Sequence, residues 1–270
     1  MSVFRSIVFS AVVSGLITGA AVTAVQQFGT VPLILKAETY EHDAAEPEAA
    51  PAAVAPASQN MSGHDHSTHD HAAHQQAAQQ APDAHRHDDA HEHDAAAWKP
   101  AEGLQRHAFT AAANVLTAIG FALLLAGIYA LRGGSVNWHD GLLWGLSGFV
   151  VFTMAPGLGL PPELPGVPAA SLEPRQTWWI ATTFATAAGL GLIFLQRSAL
   201  AAVLGVCLIA APHLFGAPQL ADVETDVPDA LSHRFVVAVT VTSLLFWALL
   251  GSLTGMTYSR FSRSSPGGNA

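Results

Sequence analysis

The chain has 270 residues, of which 50% are hydrophobic and only 11% are charged. Soluble domains carry about 25% charged residues, so this composition excludes an ordinary soluble protein and favours a membrane protein. The formal net charge of -9 excludes a domain that binds nucleic acid through an excess of basic residues.

Six apolar segments are almost free of charge and predict membrane-spanning helices. In chain order they are Val3–Val25, Phe109–Leu131, Leu142–Ala155, Thr177–Leu195, Ala199–Phe215 and Phe235–Thr257. A span needs about 20 apolar residues, within a range of about 17–25. Ala199–Phe215 lies at the lower bound, and Leu142–Ala155 is too short unless residues 136–140 or 156–160 also lie at membrane depth. We therefore predict an all-α integral membrane protein with about six transmembrane helices, with five as the alternative.

The placement of charge predicts how these helices are oriented. With the N-terminus in the cytoplasm, the inside segments hold one acid, Asp140, and the basic residues Arg5, Arg132, Arg197, Arg260 and Arg263. Basic residues are then denser inside, as the positive-inside rule expects. This predicts a first helix over 1–26, an extracytoplasmic loop over 27–107, a bundle of about five helices over 108–258 and a cytoplasmic tail over 259–270. Both termini face the cytoplasm in this layout.

The first apolar segment has a second interpretation, as a signal peptide. Arg5 precedes the apolar run, and residues 22–24 resemble a cleavage site. However, Gly15 and Gly19 give the run the small-residue face of a packed membrane helix, so a retained helix is preferred. The single cysteine, Cys207, lies within a predicted span, so neither a disulfide nor a thiolate metal site is expected.

The loop contains a histidine tract, residues 42–93, which holds ten of the fourteen histidines. Imidazole nitrogen suits first-row divalent ions, and the interleaved carboxylates concentrate cations. The tract has too little apolar surface to fold alone, so we expect disorder without metal. The predicted metal ligands in it are His64, His66, His69, His71, His74, His85, His87, His91 and His93. The alternative is a polar linker whose histidines bind nothing specifically.

Two further candidate metal ligands lie near the ends of spans. His213 follows Pro212 at the outer end of the fifth apolar segment, and Glu163 lies in a Pro/Gly-rich loop between Pro156 and Pro165. With acids at 222, 224 and 226 they would form a mouth of mixed nitrogen and oxygen ligands, which Co²⁺ accepts. His213 is also explained as an interfacial histidine, and Glu163 as an ion-pair partner of Arg175 or Arg106.

Several short motifs follow one another along the chain in a characteristic order. They are Gln26-Gln27 with Val31-Pro-Leu-Ile34 and Ala37-Glu38; Trp98-Lys-Pro100 with Gly103-Leu-Gln-Arg106, Asn114 and Gly120-Phe-Ala-Leu-Leu124; the loop Pro156–Gly166; Ala211-Pro-His213 with Gly216-Ala-Pro218; and Leu244–Gly251. In order and spacing they resemble the CbtA family of predicted cobalt transporter subunits. The resemblance covers nearly the whole chain apart from about residues 43–95.

The resemblance implies a bacterial inner-membrane subunit for cobalt uptake that serves cobalamin synthesis, with the histidine tract in the periplasm. It also implies a small single-span partner, CbtB. The expected bound or transported ion is Co²⁺, with Ni²⁺ or Zn²⁺ as alternatives. The expected partners are the lipid bilayer, this subunit and the ion, with no cofactor and no nucleic acid.

Three functions remain open from the residues. The leading hypothesis is an uptake permease whose tract collects metal and whose helices conduct it. A membrane-anchored metal-binding or sensing protein without transport is the alternative, and efflux is a weaker third. The sequence has neither a G-x-x-x-x-G-K-[ST] loop nor an H-E-x-x-H pattern, so we do not expect an enzyme.

Overall fold

The structure is a computed structural model that describes residues 3–45, 103–196, 198–220 and 224–263. Within these ranges the regular structure is entirely helical, which confirms the predicted all-α class. The helices are α1 (Val3–Phe28), α2 (Val31–Ala45), α3 (Leu104–Arg132), α4 (Trp138–Phe149), α5 (Ala155–Gly159), α6 (Leu172–Leu195), α7 (Ala199–Phe215) and α8 (Asp229–Arg263). The nine predicted ligands of the histidine tract, His64 to His93, lie outside the described residues.

Five helical segments of the described chain are long and apolar enough to cross a membrane. They are Val3–Phe28, Leu104–Arg132, Trp138–Gly159, Leu172–Leu195 and Asp229–Ser262. The apolar helix α7 is shorter, with 17 residues. The sequence left six or five spans open; the third segment, which was short in the sequence, reaches full length as Trp138–Gly159, and α7 is the short one.

The third span is longer than its apolar core because both of its flanks are helical. It begins with a capping box, in which the Asn137 side chain accepts hydrogen bonds from the backbone N–H groups of His139 and Asp140. The Asp140 carboxylate accepts one in return from the backbone N–H of Asn137, at 3.1 Å. These bonds satisfy donors that a helix N-terminus otherwise leaves unpaired. The span therefore runs from Trp138 to Gly159.

A π turn, Val150–Met154, interrupts this span between α4 and α5. Pro156 explains it, since proline donates no hydrogen bond and its ring crowds the carbonyl four residues earlier, that of Phe152. The backbone N–H of Ala155 bonds instead to the carbonyl of Val150, five residues back. Helix continues to Gly159, so the irregular segment starts at Leu160 rather than at Pro156.

Glycines allow three antiparallel helix pairs to approach closely. Gly15 and Gly19 of α1 face Ile119 and Val115 of α3; Gly141 and Gly145 of α4 face Gly251 and Gly255 of α8; Gly189 of α6 faces Gly205 of α7. A Cβ atom at Gly189 would lie 2.6 Å from the carbonyl oxygen of Gly205, so even alanine does not fit. Small residues at such crossings are how membrane helices gain van der Waals contact.

Antiparallel pairing gives the bundle two ends. We call the end where α1 finishes and α3 begins the upper side, and the end where α3 finishes and α4 begins the lower side. Helix α2 follows α1 on the upper side and was not predicted from the sequence. Its buried Ala37 packs in an apolar cluster with Leu164 and Val227. An ion pair between Glu38 and Arg106, with 2.5 Å between Oε1 and Nη2, ties α2 to the start of α3.

Candidate functional site

A cavity of about 260 Å³, the upper cavity, lies among the spans. Its described lining includes six neutral polar side chains, from α1, α3, the π turn and α8: Gln26, Asn114, Thr117, Thr153, Thr242 and Ser243. Apolar and aromatic side chains complete it, including Trp179 of α6. Neutral polar side chains in membrane helices hydrogen-bond to neighbouring helices or line a pathway.

Antiparallel packing explains why residues so far apart in sequence meet at one level. Gln26 is near the end of α1, whereas Asn114 is in the first half of α3, which runs in the opposite direction. Thr153 lies beyond the middle of the third span, and Thr242 is thirteen residues after the start of α8. Each position falls in the upper half of its helix or near its middle. Five separate elements therefore line the cavity at a common depth.

Asn114 organises the wall of the upper cavity. Its amide Nδ2 donates to Gln26 Oε1 at 2.6 Å and to Thr23 Oγ1 at 3.0 Å. Thr23 in turn donates to the backbone carbonyl of Gly19 at 2.8 Å. Both amide protons of Asn114 are thus engaged, and the acceptor that remains on this side chain is Oδ1.

The π turn places two consecutive residues in the lining of the upper cavity, Phe152 and Thr153. The regular helix α8 also contributes consecutive residues, Thr242 with Ser243 and Phe246 with Trp247. Single π turns inside α-helices occur frequently at functional sites. Here the π turn contributes the hydroxyl of Thr153 and the ring of Phe152 to the lining of the upper cavity.

A second cavity, the lower cavity, has a volume of about 590 Å³ and lies towards the opposite side. It is lined by the last part of α3, the first part of the third span and the last part of α6. Most of its lining is apolar, with Arg132, Asp140 and Ser147 as the polar exceptions. The guanidinium of Arg132 lies 6.0 Å from the ring centroid of Trp144, within the range of a cation–π contact.

An aromatic wall separates the two cavities. Phe152 and Trp247 line both of them, and their rings stack with centroids 5.5 Å apart and planes only 8° from parallel. The ring of Phe121 packs against both, at 5.1 Å from Phe152 and 4.8 Å from Trp247. The structure thus has a smaller chamber with six polar side chains above, a larger and mostly apolar chamber below, and a stacked pair of rings between them.

His213, one of the predicted ligands, lies in the last turn of α7 on the upper side. Its ring meets that of Trp178 edge to face, with 5.7 Å between centroids. The indole Nε1 of Trp178 donates to the carbonyl of Pro212 at 3.2 Å. These contacts hold His213 at the junction of α6 and α7, near the upper end of the bundle.

Glu163 lies in the segment between α5 and α6, also on the upper side. Its Oε2 is 2.7 Å from Nη2 of Arg175, so of the two ion-pair partners considered from the sequence, Arg175 is the one it has. Glu224 and Asp226 precede α8, whereas Asp222 is outside the described residues. Across the described ranges, no three His, Cys, Asp or Glu side chains come close enough together to hold one metal ion.

Sequence reasoning missed the upper cavity, although signals for it were present. Gln26 and Asn114 were recognised as parts of family motifs, and threonines interrupt the apolar runs at 117, 153 and 242. Individually, each is an ordinary polar residue in a membrane helix. Only their convergence distinguishes them.

A family model described as "Probable cobalt transporter subunit (CbtA)" matches residues 4–259, which is nearly the whole chain. No curated protein and no solved structure matches. The predicted family resemblance is therefore confirmed.

Proposed function

The chain belongs to the CbtA family of probable cobalt transporter subunits, and from this premise we propose that it is the subunit through which Co²⁺ enters the cell. The upper side faces outwards in this proposal, as the distribution of arginines predicts. The ion passes from the upper cavity, past the aromatic wall, into the lower cavity and the cytoplasm. The imported metal serves cobalamin synthesis, and the chain acts as a transporter rather than an enzyme.

The observation that carries this proposal is the upper cavity. Six polar side chains from four elements line this one cavity at membrane depth. Helices that serve only as an anchor do not require such a cavity. Burying such groups away from water costs free energy unless they find partners. A path for a hydrated ion explains both their presence and their convergence.

The histidine tract collects metal outside the membrane in this proposal. Its imidazoles and carboxylates bind divalent ions in several exchangeable ways, which raises the local concentration at the entrance. His213 and Glu163 act next, as polar groups on the upper side that the ion meets before the cavity. A small single-span subunit of the CbtB type completes the transporter.

The direct test is accumulation of radiolabelled cobalt by cells that express the chain with and without this small subunit. The informative variant is Thr153→Val with Thr242→Val, which removes two hydroxyls from the upper cavity with little change in volume. Thr240→Val is the matched control, because Thr240 lies on the same helix, bonds to the carbonyl of Val236 and does not line the cavity. We expect the double variant to lose most of the uptake and the control to keep it.

Other outcomes separate the competing functions. Metal binding by the purified protein, without cobalt flux in proteoliposomes that also contain the small subunit, would favour an anchored metal-binding protein. Direction is tested by growth: loss of an uptake system impairs cobalamin-dependent growth at limiting cobalt, whereas loss of an efflux system causes cobalt sensitivity.

A further inference from the structure

We propose that the upper cavity binds a divalent cation together with its shell of water molecules, and recognises the hydrated ion rather than the bare metal. This inference rests on the proposed function and specifies what the pathway binds at membrane depth. The ligand class is a hexahydrated divalent cation. The residues that would contact its water shell are Asn114, Thr117, Thr153, Thr242 and Ser243, with Gln26 beside them.

The charge of the lining is the first reason. Among the described residues around the upper cavity there is no carboxylate, imidazole or thiolate; the polar groups are two amides and four hydroxyls. A doubly charged ion stripped of water is very costly to bury unless charged ligands replace the lost hydration. Neutral side chains do not supply that replacement, but they do hydrogen-bond to coordinated water.

The volume is the second reason. A water molecule occupies about 30 Å³ in the liquid, so six of them occupy roughly 180 Å³. The upper cavity holds about 260 Å³, which accommodates an ion with a full first shell. A site for a bare ion would instead need its donor atoms within about 2–2.6 Å of one point, as protein oxygen ligands of divalent ions are.

The hydrogen-bonding character of the lining is the third reason. Water bound to a divalent cation is mainly a hydrogen-bond donor, so its site must present acceptors. Asn114 uses both amide protons on Gln26 and Thr23, which leaves Oδ1 as its acceptor. The hydroxyls of Thr117, Thr153, Thr242 and Ser243 accept through their lone pairs. The Asn114 network thus converts an ambivalent amide into an acceptor.

Recognition through the water shell limits how the upper cavity can select between metal ions. A site that contacts only the water shell distinguishes ions by charge and hydrated size, and it does not rank them by their affinity for nitrogen or sulfur. Preference among transition metals then arises outside the upper cavity, where imidazole ligands are available.

Hexaamminecobalt(III) tests this inference, because its six ammonia ligands do not exchange and it imitates a hydrated cation that can only donate hydrogen bonds. The experiment measures inhibition of ⁵⁷Co²⁺ uptake by this complex in cells that express the full chain with its small subunit. The variants are Thr242→Val and Ser243→Ala in the cavity, with Thr240→Val and Ser252→Ala as controls on the same helix. Ser252 bonds to the carbonyl of Ala248 and does not line the cavity.

We expect the complex to inhibit uptake competitively in the wild type. The concentration for half-inhibition should rise by roughly tenfold to a hundredfold in each cavity variant, as expected for one lost hydrogen bond to a charged ligand. It should stay unchanged in both controls, which leave the lining of the upper cavity intact.

Two results would overturn the inference. If the wild type takes up cobalt but the complex does not inhibit, or inhibits cavity variants and controls equally, the cavity does not recognise hydrated ions and the proposed function stands. If the wild type takes up no cobalt at all, the proposed function fails and this inference fails with it.

Discussion

Helix α8 has two regions that show opposite ways of treating the space between membrane helices. At Gly251 and Gly255 it lies directly against α4, with no room for a single added methyl group. A little over two turns before Gly251, at Thr242 and Ser243, it contributes polar side chains to the lining of the upper cavity. The first region, which we call the glycine seam, leaves no space between α8 and α4. The second region borders a cavity. In the proposed function, the same helix therefore serves as a rigid support and as part of the pathway.

The contrast teaches where tolerance to substitution should differ. In the glycine seam the neighbouring atoms are backbone, which cannot move without displacing a whole helix. In the cavity a side chain faces open space, so its shape matters less than its polarity. Substitutions in the seam should act on stability, and substitutions in the cavity should act on transport.

The largest effect is expected from Gly251→Ala in the glycine seam. The new Cβ would overlap the carbonyl oxygen of Gly141, and α4 and α8 would have to separate. Overpacking of this kind costs about 1–3 kcal/mol or more. Gly120→Ala is the matched control, because a Cβ there meets nothing within 4 Å. Thermal unfolding of the purified proteins should show a lower midpoint for Gly251→Ala alone, and equal midpoints would contradict the close contact.

The next effect concerns Phe152, whose ring separates the two chambers. Phe152→Ala removes half of the stacked pair and joins the cavities, so we expect severalfold faster Co²⁺ entry into proteoliposomes and entry of Mg²⁺ as well. Phe194→Ala is the control, because Phe194 lines the lower cavity only. Unchanged Co²⁺ and Mg²⁺ fluxes, with a normal protein level, would show that the stacked rings are not the barrier.

In the proposed function, the histidine tract collects metal and the membrane helices conduct it. Substituting the tract histidines separates these two roles. If the glycine seam only stabilises the bundle and the upper cavity conducts the ion, replacing the nine predicted tract histidines by glutamine should leave the maximal rate of Co²⁺ uptake unchanged. It should raise the Co²⁺ concentration for half-maximal uptake by a few fold. Imidazole has an ordinary pKa of about 6.5, so below that pH its protonated form releases metal. Lowering the pH from 7.5 to 5.5 should therefore impair the wild type at low cobalt and leave this variant's half-maximal concentration nearly constant.

A different result would reassign the tract. A loss of maximal rate at saturating cobalt, with normal amounts of protein in the membrane, would mean that the tract delivers ions into the path as an obligatory step. Deletion of residues 48–95 distinguishes the imidazoles from mere length, because the glutamine variant keeps the length.

The spans were predictable because their signal is local. A run of about 20 apolar residues reveals its own length, and the glycines at Gly15 and Gly19 already indicated a packed face. The third span was predictable only conditionally, since its helical flanks depend on the capping box at Asn137 and on a π turn that accommodates Pro156. Proline in the sequence suggests a break, whereas the backbone absorbs it by a change of hydrogen-bond register.

Helix α2 and the upper cavity were not predictable, for a different reason. The apolar face of α2 packs against Leu164 and Val227, which are more than a hundred residues away. The cavity likewise depends on which helices are neighbours and on their relative level. Neither the choice of neighbouring helices nor their relative level can be read from a single segment. Hydropathy alone therefore does not reveal a polar site assembled from Gln26, Asn114 and Thr242.

The smallest effect separates the two interpretations of Glu163. Its ion pair with Arg175 is partly exposed, with 29% and 27% of the two side chains accessible, and pairs near a surface contribute about 0–1 kcal/mol. Glu163→Gln and Arg175→Gln both remove the pair, but only the first removes the carboxylate from the entrance. We expect Glu163→Gln to lower uptake at low cobalt by roughly twofold, which is well under 1 kcal/mol. Arg175→Gln should leave uptake unchanged, or raise it slightly by freeing the carboxylate. If both variants lower uptake equally, Glu163 serves the loop through Arg175 and does not meet the ion.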